Sequence, residues 1–350
     1  MIHYRLATPA DNEQLIALTA LCGMDGEISL RIDRYPNFFS LLQLRGPTNV
    51  FVAETSGEII GCVCVSLQQV YVGKEILPLR YIGDFKVAPA FRNKGVGIEL
   101  CNQLANYVVA QGADLAFLNV SMGNTKPLSF FKNRPQVPDF ENIGVFTIHQ
   151  FVGKRKPMIK TGLPIESSAV TPELLVFLNA HYRRYELGTV ISSEMLAQTE
   201  IWVARINGEL VSVMCLFDTM RFKQNVVTRV SARLKLLMAA MNAVRHLSGL
   251  SRMPSVNKPI GMLYVRFLAI NAPGHSIARQ MINHARQLAY ERTRSFVSLG
   301  LHEKDPLNRH LRGMFRLSFK SVGMLLSIRN NETLVKQVQK GIPFEDYSLV

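Results

Sequence analysis

The residues best suited to chemistry lie in "VAPAFRNKGVGIELCNQL", residues 87 to 104, where two glycines one residue apart follow Arg92, Asn93 and Lys94. Gly95 and Gly97 let a backbone approach a bound group without side-chain interference. Arg92 and Lys94 add full positive charges, and an arginine can fork to two oxygens of a phosphate. At a helix start these features make an anion site, because the first N–H groups have no partner inside the helix and carry partial positive charge. The plainer reading is a tight turn, with glycines for geometry and two solvated cations.

The elements that must hold this corner are legible on both sides. Upstream, "RYIGDFKV" alternates, with Phe85 and Val87 on one side and Asp84 and Lys86 on the other, the period of a strand. Pro89 ends it, having no N–H to give a neighbouring strand. Downstream, Val96, Leu100, Leu104 and Val108 recur at four-residue spacing, the period of an amphipathic helix. Two well-known phosphate loops do not fit. No Lys-Ser or Lys-Thr follows the glycines, as a P-loop needs. Position 100 is Leu, where a dinucleotide fingerprint needs its third glycine.

The corner resembles motif A of the GNAT superfamily, the acetyl-CoA-dependent N-acetyltransferases. Val87, Pro89, Phe91, Arg92, Lys94, Gly95 and Gly97 match that family's Val-x-Pro-x-Tyr/Phe-Arg-x-Lys-Gly-x-Gly. The resemblance implies that the backbone amides of residues 92 to 97, Val96 included, hold the pyrophosphate of coenzyme A. It also implies a splayed strand at Phe85 to Val87 that pairs with the pantetheine amides. "NTKPLSFF" is similar to the family's Asn-x-x-Ala-x-x-Phe-Tyr, which implies a cofactor contact from Asn124. Phe131 stands where the family often has a tyrosine that protonates the leaving thiolate.

The rest of the first half looks like the same family: "YRLATPADNEQLIAL" as a first strand and helix, "VFVAETSGEIIGCVCVSL" as two strands joined at Ser56-Gly57, and "ADLAFLNVS" as a buried strand. After a linker over 153–172 the pattern returns. "VFVAETSGEIIGCVCV" (50–65) lines up without gaps on "IWVARINGELVSVMCL" (201–216), and "GMLYVRFLAI" followed by "NAPGHSIARQMINHARQLAY" gives a second strand, turn and helix. The second corner has lost the arginine and both aligned glycines. The expected fold is therefore α/β, two tandem GNAT-like domains (1–152 and 173–350), each a mixed, mostly antiparallel sheet flanked by helices. The second is expected to be degenerate for coenzyme A.

An insertion at 221–258 in the second copy carries Val226, Val230, Leu234, Leu237, Met241, Val244 and Leu247 at helical spacing, with Arg229, Arg233 and Arg245 off the stripe. It reads as a basic amphipathic helix packed on its domain, with a membrane-surface segment or a lid over an acyl chain as sharper readings. The charge is uneven. Residues 1 to 152 hold 12 Lys/Arg and 13 Asp/Glu; residues 153 to 350 hold 28 and 13. The basic half points to an acidic partner, against a merely solvated surface. Five scattered cysteines, with Cys62, Cys64 and Cys215 in apolar strands, favour a reducing cytoplasm. No metal-ligand spacing, no apolar run of transmembrane length and no signal-peptide pattern is seen.

The expected reaction is transfer of an acyl group, with acetyl-CoA as the expected donor, to a primary amine on a small molecule or peptide. Asp84 is the candidate base, on the expectation that a half-buried cleft raises its pKa. The alternative is a strand-edge carboxylate paired with Lys86 or Arg80. Backbone amides at Phe85 to Val87 would polarise the carbonyl. With Phe131 in the tyrosine position, Tyr81 and Ser121 are the candidate acids. The alternatives to this activity are a transferase that draws its donor from aminoacyl-tRNA, and a non-catalytic coenzyme A binder whose basic half engages an acidic partner.

Overall fold

The computed structural model describes residues 1–24, 28–122, 139–156, 162–271, 275–329 and 331–350. Its strands are β1 (His3–Leu6), β2 (Ile28–Asp33), β3 (Thr48–Thr55), β4 (Glu58–Val72), β5 (Glu75–Val87), β6 (Leu115–Ser121), β7 (Glu141–Val152), β8 (Ile165–Ser168) and β9 (Gly188–Thr189), then β10 (Glu200–Ile206), β11 (Glu209–Asp218), β12 (Gln224–Val230), β13 (Met262–Ile270), β14 (Phe296–His302) and β15 (Arg316–Ser327). Helices Val96–Ala110 and His275–Glu291 make the two crossovers, from β5 to β6 and from β13 to β14.

The repeat seen in the sequence is a repeat in space. β3 and β4 turn through Ser56 and Gly57, with φ of 51° and 79°; β10 and β11 turn through Asn207 and Gly208, at 52° and 84°. Paired left-handed residues give the twist that a two-residue hairpin needs. β5 then pairs β4 antiparallel and β6 parallel, as β13 pairs β11 and β14.

The strand order is β1-β3-β4-β5-β6-β15-β7-β14-β13-β11-β10-β8 in one 13-stranded sheet, with β9 alongside β4. Read from either end, the order is the same with the last strands exchanged. β15, late in the chain, pairs β6, and β7 pairs β14. β7 and β15 run antiparallel along the centre. Neither half's sheet is complete without a strand from the other. Val96, Leu100, Leu104 and Val108 pack on β3 and β4 as their spacing requires, and fully burying Leu100 contributes roughly 2 kcal/mol.

The inserted segment differs from its expectation. Val226 to Val230 is not helical but lies in β12, which pairs with β2 of the first half. Three β-branched residues in a row, Val226, Val227 and Thr228, favour a pleated chain once a partner strand is at hand. The helix is Ala232–Ser248, and none of its residues is buried. Met238 and Met241 pack partly on the domain while Leu236, Leu237, Val244 and Leu247 stay exposed, so the expected packing covers one side of the helix only.

Candidate active site at the parting of two strands

β5 and β6 pair from Leu79 with Leu115 to Ile82 with Leu118, then part, although β5 runs on to Val87 and β6 to Ser121. At the parting β5 carries a bulge. Cys62 opposes Lys86 while Cys64 opposes Gly83, which leaves one extra residue on β5. Asp84 takes it up, with a left-handed φ of 47°. A non-glycine residue held there is strained and persists only because its surroundings fix it. Residues 83–87 thus offer main-chain groups toward β6 that the sheet does not use.

At the end of β5 the corner has the expected form. Gly95, φ 81°, is the N-cap of helix Val96–Ala110; no side chain caps that helix, and a Cβ on Gly95 would meet nothing within 4 Å. Asn93 is also left-handed, at 62°. Arg92, Asn93, Lys94 and Gly95 are exposed, and Val96 and Gly97 form the first helical turn. These residues fit a phosphate group. Arg92 does not reach outward as a full clamp, since its Nε donates to Val87 O at 3.1 Å. Lys94 Nζ lies 5.3 Å from the Phe91 ring centre. Phe85 and Val87 face the helix, with Asp84 and Lys86 on the opposite side. Asn124 and Phe131 lie outside the described residues.

The electrostatics of Asp84 correct the sequence expectation. Arg34 Nη2 donates to its Oδ2 at 2.7 Å, and Lys86 pairs with Oδ1. Burial raises the Asp84 pKa, but Arg34, then Lys86 and Lys223, outweigh it and hold the carboxyl well below the usual carboxylate range. Asp84 stays ionised as a paired anchor and is a poor base. Its partners are Lys86 and Arg34, not Arg80.

Around Asp84 lies a buried ionic cluster drawn from both halves. Lys223, at the entrance to β12, donates to Val350 O; burial, with Arg34 and Lys86 nearby, lowers its pKa to about 7. Arg45 Nη1 donates to Glu345 Oε1 at 2.9 Å and its guanidinium stacks 3.5 Å from the Tyr81 ring centre. Burial raises Glu345 to about 6 and raises the Tyr81 hydroxyl as well. Arg34 is only 3% exposed at its side chain, and its Nε and Nη1 have no hydrogen-bond partner among the described residues. Arg34, Arg45, Lys86 and Lys223 meet the carboxylates of Asp84 and Glu345, with Asp346, itself held by Arg266, close by. That surplus of positive charge disfavours an ammonium beside it relative to a neutral amine. Arg34, Arg45 and Lys223 carry no motif, so sequence reading could not find them. Of the two candidate acids, Tyr81 is buried beneath Arg45 and Ser121 is exposed.

The second parting is filled. β13 and β14 pair only from Met262 with Phe296 to Tyr264 with Ser298, and the bulge recurs with Arg266 as the extra residue. There the Tyr182 hydroxyl accepts from Leu268 N at 2.9 Å, and Tyr347 packs on Gly300 so closely that a Cβ would meet its ring at 2.2 Å. The space left among Tyr182, Tyr185, Arg266 and Tyr347 is about 20 Å³, room for a water. Arg266 itself is consumed by Asp346 at 2.7 Å. Residues 272–274 of the second corner lie outside the described residues.

Against known proteins, residues 8–134 match the model of the acetyltransferase (GNAT) family. Over that span, which lies in the first half, the chain is similar to the GNAT family. A curated relative, Acetyl transferase GW6a of Oryza sativa subsp. japonica, is 23% identical over 252 residues. That match covers 67% of this chain and 59% of the relative, so the chain spans less than two thirds of the length of that protein. Among solved structures, a GCN5-related N-acetyltransferase from Anabaena variabilis superposes over 94% of this chain and 73% of its own, with TM-score 0.54 and 12% identity. Saccharomyces cerevisiae N-myristoyltransferase with bound myristoyl-CoA covers 93% and 79%, with TM-score 0.62 and 10% identity. At these identities the likeness is one of fold: both halves of the sheet are GNAT-like, with the GNAT parting open in the first and plugged in the second.

Proposed function

We propose that this protein is an acyl-CoA-dependent N-acyltransferase whose single cofactor site is the parting of β5 and β6, and that it acts on a primary amine. The observation that carries the reading is the parting at Ile82 and Leu118, placed between a strained bulge and an uncapped helix start. Phosphates fit the N–H groups at 92–97, and an extended amide chain fits the unused main chain of 83–87. Bound acyl-CoA would supply an activated thioester for direct attack by the amine.

The chain's own residues would do the rest. Arg34 and Lys86 favour the acceptor amine in its neutral form; as the new amide bond forms and the thioester C–S bond breaks, Lys223 in its neutral form takes the proton the amine loses, and the thiolate departs with that proton available to it. Asp84 holds Arg34 and Lys86 in place. Main-chain N–H groups at the bulge polarise the carbonyl.

A specific observation favours a second reading of the donor, with a chain longer than acetyl. On the helix side of the parting lies an apolar cavity of about 180 Å³, lined among the described residues by Ile82, Phe85, Cys101, Leu104, Val108 and Phe140. Rates with acetyl-CoA and a series of longer acyl-CoAs decide between the two donors. For the site itself, the test is calorimetric affinity for acetyl-CoA in wild type and Gly97→Glu, with thiol release measured over a panel of amines. A carboxylate at position 97 should abolish binding. Equal affinity would remove the corner from the site.

A further inference from the structure

We infer that the outward face of helix Ala232–Ser248 docks on an anionic membrane surface. The helix is apolar on two sides. Met238 and Met241 turn inward against Val227, Met253 and Ile260. On the other side Leu247 is 93% exposed, Leu236 is 74% exposed, and Leu237 and Val244 are each 49% exposed. At 100° per residue, 236, 240, 243 and 247 share one line, with 237 and 244 beside it. Alanines stand at 239, 240 and 243, so the face is smooth as well as apolar. A surface helix ordinarily turns polar residues outward, so an uncovered face of this kind marks a contact.

The charge around the face decides what covers it. From residue 219 to residue 290 the chain has eleven Lys/Arg and no Asp or Glu. Arg229 precedes the helix; Arg233, Lys235 and His246 are exposed on it; Arg252 and Lys258 follow. At its C-terminal end Arg155 N donates to Gly249 O at 2.8 Å, which brings exposed Arg155 and Lys156 to the same rim. Leucines ringed by cations are the chemistry of a helix lying in a headgroup layer, where the aliphatic face enters the acyl boundary and the cations meet lipid phosphates. A nucleic acid would use the cations but leave the leucines exposed. A second copy of this chain would set the same cationic rim against itself.

The placement bears on the ionic cluster. β12 leads directly into this helix, and β2, its partner, ends beside Arg34, while Lys223 stands at the other end of β12, roughly 20 Å away. A docked helix therefore holds the ionic cluster around Asp84 near the bilayer surface.

The test is co-sedimentation of the full chain with phosphatidylcholine vesicles, with and without phosphatidylserine, at low and moderate salt. Wild type should bind the anionic vesicles and lose most binding at moderate salt, because exposed charges are screened within about 8–10 Å at physiological ionic strength. Leu236→Glu with Leu247→Glu should reduce the bound fraction about tenfold even at low salt. Arg233→Glu with Lys235→Glu should remove the preference for phosphatidylserine. Acetyl-CoA affinity and circular dichroism, unchanged in both variants, show that the fold is intact. The inference is overturned if wild type ignores anionic vesicles at low salt, or if the leucine variant binds them as well as wild type. It is equally overturned if sedimentation velocity shows the face buried in a dimer that the leucine variant dissolves, or if RNA outcompetes the vesicles irrespective of the leucines.

Discussion

Arg34 reaches across fifty residues of sequence to hold Asp84 at 2.7 Å, and so fixes the carboxylate that sits at the strained bulge of β5. Both side chains are buried, so the pair sits where an uncompensated charge is costly. Arg34→Ala should therefore destabilise the fold by about 3 kcal/mol, with Lys86 left as the remaining partner of Asp84. Urea unfolding of the two proteins measures it; a difference of a few tenths would mean that Asp84 is already solvated.

Asp84 also sets an acid limit. Its folded pKa lies below the ordinary aspartate value of 3.8, so the ionised pair contributes stability fully above that pH and loses it as pH falls through the folded value. Wild type should lose unfolding midpoint steeply from about pH 4 downward. Asp84→Asn should be less stable at neutral pH but flatter over the acid range.

Lys223 should appear in the pH dependence of catalysis. With its pKa lowered to about 7 it becomes a proton acceptor as pH rises through neutrality, so kcat/KM should climb with a midpoint there. In Lys223→Met the rate should fall about a hundredfold and that limb should vanish. A variant that keeps both rate and limb would assign the proton to another group.

The plug in the second parting predicts one cofactor per chain by calorimetry. It also predicts that Gly300→Ala is costly, because the new methyl meets the body of the Tyr347 ring. Tyr347 cannot yield freely: its hydroxyl donates to Asn119 Oδ1 at 3.0 Å and bonds Ser321. We expect a loss of about 1–3 kcal/mol by thermal unfolding, the usual scale of overpacking. A neutral substitution would show the plug to be loose.

The glycine corner at 87–97, the strand before it, the helix after it and the duplicated hairpins at 50–65 and 201–216 were all legible in the sequence. Each rests on short-range physics: side-chain period, turn residues that tolerate positive φ, and an N-terminus without a cap. What tertiary structure alone decided involves partners far apart in the chain. The charge state of Asp84 depends on Arg34 and Lys223, brought together by the β2–β12 ladder, and no local pattern around "GDFK" encodes them. The exchange of β7 and β15 depends on which edges lie free when two similar sheets meet. Val226 to Val230 fitted a helical stripe by spacing and became a strand because β2 was there to pair with it. The helix that follows kept its period, but which of its faces would be covered was set by how much of the domain lay beneath it, and that is a property of the packed molecule.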